Sequence, residues 1–189
     1  QGYASKVPSK CVMLLGPVYA LLRKDFSELR RQMICRSFLK NILIFFTAGD
    51  DLGETLKAMQ GVALYGKAEN VDVVVGRSNL QRAAIREKCH ELRWSYHCQV
   101  DYMPDLIARA DLVVGAGGSS NWERCVLGAP ALISILSNNQ VSVARALDKA
   151  GAVLNLGWFN TLEPNNYADA LSSLNDKKIA KMSDKATLL

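Results

Sequence analysis

DLVVGAGGSSNWERCVLGAP, residues Asp111 to Pro130, reads as a buried strand, a glycine turn and a capped helix in immediate succession. Leu112 to Val114 is apolar at successive positions, as in a strand covered on both faces. Ser119 or Ser120 can open a helix running through Trp122 to Leu127, which Gly128 and Pro130 stop. A strand handing over to a helix through glycines is the repeating unit of a parallel α/β sheet. The turn also suits an anion. Gly117 and Gly118 carry no side chain to block a phosphate, and the first free amides, at about Ser119 to Asn121, point toward it with the positive end of the helix dipole. Glu123 follows about one helical turn in, where a carboxylate can accept hydrogen bonds from both hydroxyls of a ribose. Its spacing fits a solvent-facing helix glutamate equally well. Gly115 and Gly117 begin a GxGxxG pattern, but Ser120 fills the third glycine position and the motif follows a late strand. Both departures argue against NAD, and no GK[ST] suggests a P-loop.

The same grammar recurs along the chain. Apolar runs at Val12 to Leu15, Ile42 to Phe46, Val71 to Val75, Tyr96 to Val100, Leu112 to Val114 and Ala131 to Ile135 predict about six strands. Between them, Asp50 and Asp51 precede a helical face of Leu52, Leu56, Met59 and Val62, and Ser78 or Asn79 precedes Leu80, Ala84 and Ile85. Pro104 suits the first turn of a short helix to Ala110, and a further helix from Asn139 to Ala150 ends at Gly151. The lysine-rich tail after Asn175 reads as a polar helix or a frayed end. The fold class expected is α/β: a Rossmann-like, doubly wound, mainly parallel sheet of about six strands, with residues 1–189 forming one nucleotide-binding domain. Gly16, Gly49, Gly76 and Gly115 each follow an apolar run, at the carboxyl-end turns that line the ligand crevice of such a sheet.

Composition narrows the function classes. The 23 Lys and Arg against 18 Asp and Glu give a formal charge of +5, which permits an anionic partner. The basic groups, Arg23, Lys24, Arg30, Arg31, Arg36 and Lys40, then Arg77, Arg82, Arg86, Lys88 and Arg93, lack the interleaved aromatics of a nucleic-acid surface. A solvated face is therefore expected for them and no nucleic acid. The five cysteines contain no CxxC and suit reduced, buried thiols in a cytoplasmic protein. Cys89, His90, His97 and Cys98 match no usual zinc spacing, so no metal is expected; His90 falls late in a helix pattern and His97 within a strand, both structural positions. The longest apolar stretch falls far short of the roughly 20 residues of a membrane span. Gln1, with no initiator methionine or signal-like region, reads as the start of a cut or processed piece, with chain expected upstream.

Further polar segments point at the same sheet edge. Thr47 to Asp51 and Asn138 to Gln140 each follow a buried run, and each fits helix capping as well as ligand contact. Together GPVYALLRKDF (Gly16 to Phe26), FTAGDD (Phe46 to Asp51), GAGGSSNWE (Gly115 to Glu123) and NNQ (Asn138 to Gln140) resemble the second half of the UDP-sugar hydrolase of pseudaminic acid biosynthesis. That family is related to the GT-B glycosyltransferases, including the one that forms lipid II. The resemblance implies the C-terminal domain of a GT-B fold. It also implies hydrolysis of UDP-2,4-diacetamido-2,4,6-trideoxy-β-L-altropyranose to UDP and a free sugar destined for bacterial surface polysaccharide. Carried over, the UDP contacts fall on Gly117, Gly118, Ser119, Ser120, Glu123, Gly49, Asp51, Asn139 and Gln140, and the interdomain or substrate contacts on Gly16, Tyr19 and Arg23. The water-activating histidine belongs to an amino-terminal half, so no catalytic residue is expected in this chain; the expected partners are that half and a UDP-sugar substrate, with UDP as ligand or product and no cofactor. The family usually has a glycine pair where this chain has Ala48-Gly49. A UDP-sugar-dependent GT-B glycosyltransferase, differing in acceptor, is the alternative, and a non-enzymatic nucleotide-binding module a third.

Overall fold

Strands that are apolar at successive positions need cover on both faces, and the chain supplies it. The computed structural model describes residues 6–14, 16–31 and 36–189. Its sheet has six strands, β1 (Asn41–Phe45), β2 (Asn70–Val75), β3 (Ser95–Cys98), β4 (Leu112–Ala116), β5 (Ala131–Ile135) and β6 (Val153–Trp158). The helices are α1 (Lys24–Arg30), α2 (Glu54–Tyr65), α3 (Arg82–Leu92), α4 (Met103–Arg109), α5 (Ser120–Val126), α6 (Val141–Ala150), α7 (Pro164–Ser173) and α8 (Asp176–Thr187). Spatial order is β3-β2-β1-β4-β5-β6 with every neighbouring pair parallel, the doubly wound arrangement expected.

Alternate strand residues serve opposite layers. Ile42 and Ile44, Val71 and Val73, and Leu112 and Val114 pack with Met59 and Val62 of α2, Ile85 of α3 and Leu171 of α7. Leu43, Val74, Val113 and Ile133 pack instead with Phe26 of α1, Leu106 of α4, Leu147 of α6 and Ala186 of α8. Where α7 crosses α2, Gly61 is required: a Cβ there would lie 2.4 Å from Tyr167 Cβ and 2.6 Å from Pro164 O. A polar knot closes this contact. The carboxylate of fully buried Glu54 accepts a hydrogen bond from Lys57 Nζ at 2.8 Å and another from the Tyr167 hydroxyl, and Lys57 also donates to Phe159 O at 2.6 Å.

Several expectations are corrected. Val12, Met13 and Leu14 form no strand and stand 83%, 39% and 63% exposed, because β3 and β6 hold the sheet edges and neither recruits them; Leu15 lies outside the described residues. The sixth strand is β6, whose apolar run is interrupted by Asn155 and Gly157 and whose pairing with β5 shifts register at Ile133/Ser134. Leu52 and Leu80 face outward because α2 and α3 begin later, at Glu54 and Arg82, and Ala84 lies on the face of α3 away from buried Ile85 and Cys89. The tail is a helix, burying Ile179, Met182, Ser183 and Ala186 on one stripe. Cys89 and Cys125 are buried, and burial pushes both thiols up to about 11, whereas Cys11 and Cys98 are exposed; Cys35 lies outside the described residues. Arg36 is no solvated cation. It is 6% exposed and donates to Ala110 O at 2.6 Å, Ile107 O at 3.0 Å and Ala108 O at 3.2 Å, and also to Leu127 O, capping the carboxyl ends of α4 and α5 where helix carbonyls lack partners.

Candidate functional site

From β1 the chain builds outward through β2 and β3, and from β4 it builds the other way through β5 and β6. Between β1 and β4 lies the switch point, where helices leave in opposite directions and a crevice opens at the carboxyl ends of the strands. A cleft of about 450 Å³ occupies that place, walled by Phe45, Thr47 and Ala48 after β1, by Gly118, Ser119, Ser120 and Glu123 after β4, and by Asn139 and Gln140 after β5. Gly115 makes the floor possible, because a Cβ on it would fall 2.2 Å from Phe45 O.

The open donors lie at the turn after β4. The Gly117 amide is engaged by Ser134 O at 3.0 Å, and the Asn121 and Trp122 amides turn back to Gly118 O and Ser119 O. Among the described residues the amides of Gly118, Ser119 and Ser120 have no acceptor, and the Ser119 side chain makes no cap to the helix. Gln140 adds a donor: its Oε1 accepts the Leu136 amide at 3.0 Å, which turns Nε2 to within 3.6 Å of where a Gly118 Cβ would stand. The Asn139 side-chain oxygen accepts from the Ser137 hydroxyl at the rim. Glu123 is half-buried and has no hydrogen bond or ion pair to a described residue; burial raises its pKa, and the charges of Arg23 and then Arg124 pull it back down. The cleft thus pairs open donors at the turn with an open acceptor on the helix.

Other residues singled out from sequence lie beside the cleft. Asp51 is 2% exposed, and its carboxylate accepts from the Gly53 amide at 3.1 Å, the Thr55 amide at 3.3 Å and the Thr55 hydroxyl, so it caps α2. The Gly49 amide donates to Thr47 Oγ1 at 3.2 Å, and it is Ala48 that reaches the cleft. Gly16 and Tyr19 are exposed, Tyr19 on a short turn, Pro17–Tyr19, and neither lines the cleft. Arg23 donates to Asp101 O at 3.1 Å and is close enough for its charge to act on Glu123, so the first motif runs alongside the third. His97 is tied to Asp72 at 2.7 Å and to the Tyr102 hydroxyl at 3.1 Å on the sheet edge, away from the cleft. Among the described residues no group of three or more His, Cys, Asp or Glu could hold a metal ion, and no helix is long and apolar enough to cross a membrane.

One residue escaped the sequence reading. Arg124, 2% exposed, donates from Nη2 to Ala116 O at 2.8 Å and to Asn121 Oδ1, and its Nη1 reaches Ser120 Oγ at 3.4 Å. Its spacing from Asn121 and Leu127 puts it on the inward side of α5, and that spacing was the signal available.

No protein-family model matches the chain. Over 145 residues it is 26% identical to the spore coat polysaccharide biosynthesis protein SpsG of Bacillus subtilis, a match covering 75% of this chain and 43% of that protein. Over 137 residues it is 26% identical to the uncharacterized protein MJ1062 of Methanocaldococcus jannaschii, covering 66% of this chain and 27% of the relative. The chain therefore spans less than half the length of these relatives. Among solved structures it resembles Acinetobacter baumannii MurG with a TM-score of 0.67 at 16% identity, covering 96% of this chain and 53% of MurG. It resembles Os79 from O. sativa, solved in complex with UDP, with a TM-score of 0.63 at 18% identity, covering 86% of this chain and 37% of Os79. At these identities the likeness concerns the fold alone, a Rossmann-like α/β domain of the GT-B kind.

Proposed function

We propose that this chain is the UDP-binding half of a GT-B enzyme that uses a UDP-sugar as glycosyl donor. The observation that carries the reading is the cleft at the switch point, where unpaired amides at Gly118, Ser119 and Ser120 stand one side of an unpaired Glu123 carboxylate. The diphosphate lies on the amides, with the Ser119 and Ser120 hydroxyls and Gln140 Nε2 beside it, and Glu123 accepts from the ribose hydroxyls. As the bond to the anomeric carbon breaks, negative charge builds on the departing diphosphate, and amide dipoles already aimed at it stabilise that charge without reorganising. This half handles the leaving group; the acceptor and the base belong to a second half, and no cofactor is required of this one.

Glycosyl transfer is favoured over hydrolysis. Named transferases among the solved structures of like fold favour transfer, as does the polysaccharide pathway in SpsG's name, whereas hydrolysis rests on the sequence motifs alone. Product analysis with a UDP-sugar and a candidate acceptor tests this: a new glycoside supports transfer, and free sugar released without acceptor returns the reading to a hydrolase. Replacing Glu123 with alanine is expected to weaken UDP binding by about tenfold, the worth of hydrogen bonds to a charged acceptor, while the melting temperature stays near that of the parent. Calorimetric titration reads this directly, and unchanged affinity would remove the ribose from Glu123.

A further inference from the structure

Beneath the Gly118 to Ser120 turn lies a buried positive charge that no direct ion pair to a described residue neutralises. The Arg124 guanidinium is buried, and its hydrogen-bond partners are neutral: the Ala116 carbonyl at 2.8 Å, the Asn121 side-chain oxygen and the Ser120 hydroxyl at 3.4 Å. Arg124 Nε and Asn121 Nδ2, both buried, have no acceptor among the described residues, so donors outnumber acceptors at this spot. The adjacent carboxylate, Glu123, lines the cleft; it forms no direct ion pair with the guanidinium and acts on it only through space. Burial lowers the guanidinium to about 10, which leaves it protonated at neutral pH. An unpaired buried cation is costly to a fold, and its usual compensation is an anion close by. Among the described residues, the amides of Gly118, Ser119 and Ser120 beside Arg124 stand open to an anion. A Cβ on Gly115 would come within 3.1 Å of Nη1, so the glycine of the floor also makes room for the guanidinium.

We propose that Arg124 is a positioning residue that provides the countercharge for the nucleotide diphosphate, acting through the turn from below. Nη1 donates to Ser120 Oγ, which leaves the hydroxyl proton free to point into the cleft, and the positive charge acts on the phosphates across a layer of buried protein where screening is weak. The inference rests on the UDP reading above.

The test compares UDP with uridine, which shares the base and ribose but has no phosphate, on the parent chain and on Arg124→Met and Arg124→Lys. Affinities come from calorimetry for UDP and ligand-detected NMR for uridine, and thermal melts check folding. Arg124→Met is expected to weaken UDP by about tenfold or more while uridine changes by less than about twofold. Arg124→Lys, which keeps the charge, retains most of the preference for UDP over uridine and remains the deciding variant if the Met form does not fold. Equal weakening of both ligands by Met, or loss of the UDP preference in a folded Lys variant, would overturn the proposal and leave the UDP reading standing. Failure of the parent chain to bind UDP overturns both.

Discussion

Gly115→Ala is expected to destabilise the chain by about 3 kcal/mol or more and to abolish UDP binding, an overpacking cost at the upper end because backbone must move. Gly115 is the fourth residue of β4 and pairs with Phe45 of β1, the two strands that flank the crevice. An added methyl would meet the Phe45 carbonyl oxygen at 2.2 Å, and that oxygen belongs to the backbone, not to a side chain that can rotate away. Relief would need β1 and β4 to part at their carboxyl ends, which are the walls of the cleft. Urea denaturation measures the first effect and calorimetry the second. Parent-like stability with parent-like UDP affinity would mean that the strands do not approach as described.

A comparable loss is expected from Glu54→Ala, about 3 kcal/mol, by the opposite route of removing one partner from a buried charge network. Glu54 is fully buried and accepts from Lys57 at 2.8 Å and from Tyr167, whose own ionisation is pushed up by burial first and by Glu54 second. Its deletion leaves the Lys57 ammonium and the Tyr167 hydroxyl facing each other at the α2/α7 contact with no carboxylate between them. Glu54→Gln, which keeps an acceptor for the tyrosine, should recover part of the loss. Denaturation midpoints of the two variants decide it: a cost below about 1 kcal/mol for the alanine form would show that the knot contributes little to the fold.

How far the sequence discloses this molecule depends on whether a residue's role is local. Strands β1, β2, β4 and β5 are legible because most of their positions are apolar and buried on both faces. The turn from Gly115 to Ser120 is legible because a phosphate needs small residues and free amides at adjacent positions. β6 is not, since an edge strand with a bulge tolerates Asn155 and Gly157. α7 carried a signal in Pro164 and in the box formed by Glu163 and Asn166, but its apolar contacts, Tyr167 and Leu171, make sense only once α2 is in place. Asp50 and Asp51 show the limit most sharply. Their acceptors were visible, yet only the fold reveals that Asp51 is spent on the α2 cap while Asp50 accepts from the Leu80 amide at 3.4 Å. Arg124 and Arg36 were hidden for a related reason: composition marks arginine as surface, and both are drawn inside by carbonyl oxygens from distant or preceding segments.

Calorimetric titration of the chain with UDP, with UMP alongside, measures whether the cleft between β1 and β4 holds a nucleoside diphosphate. Saturable UDP binding, markedly weaker for UMP, is expected, because the second phosphate completes the contacts to the Gly118, Ser119 and Ser120 amides. Absence of UDP binding at millimolar ligand, or equal affinity for UMP, would contradict this assignment of the cleft.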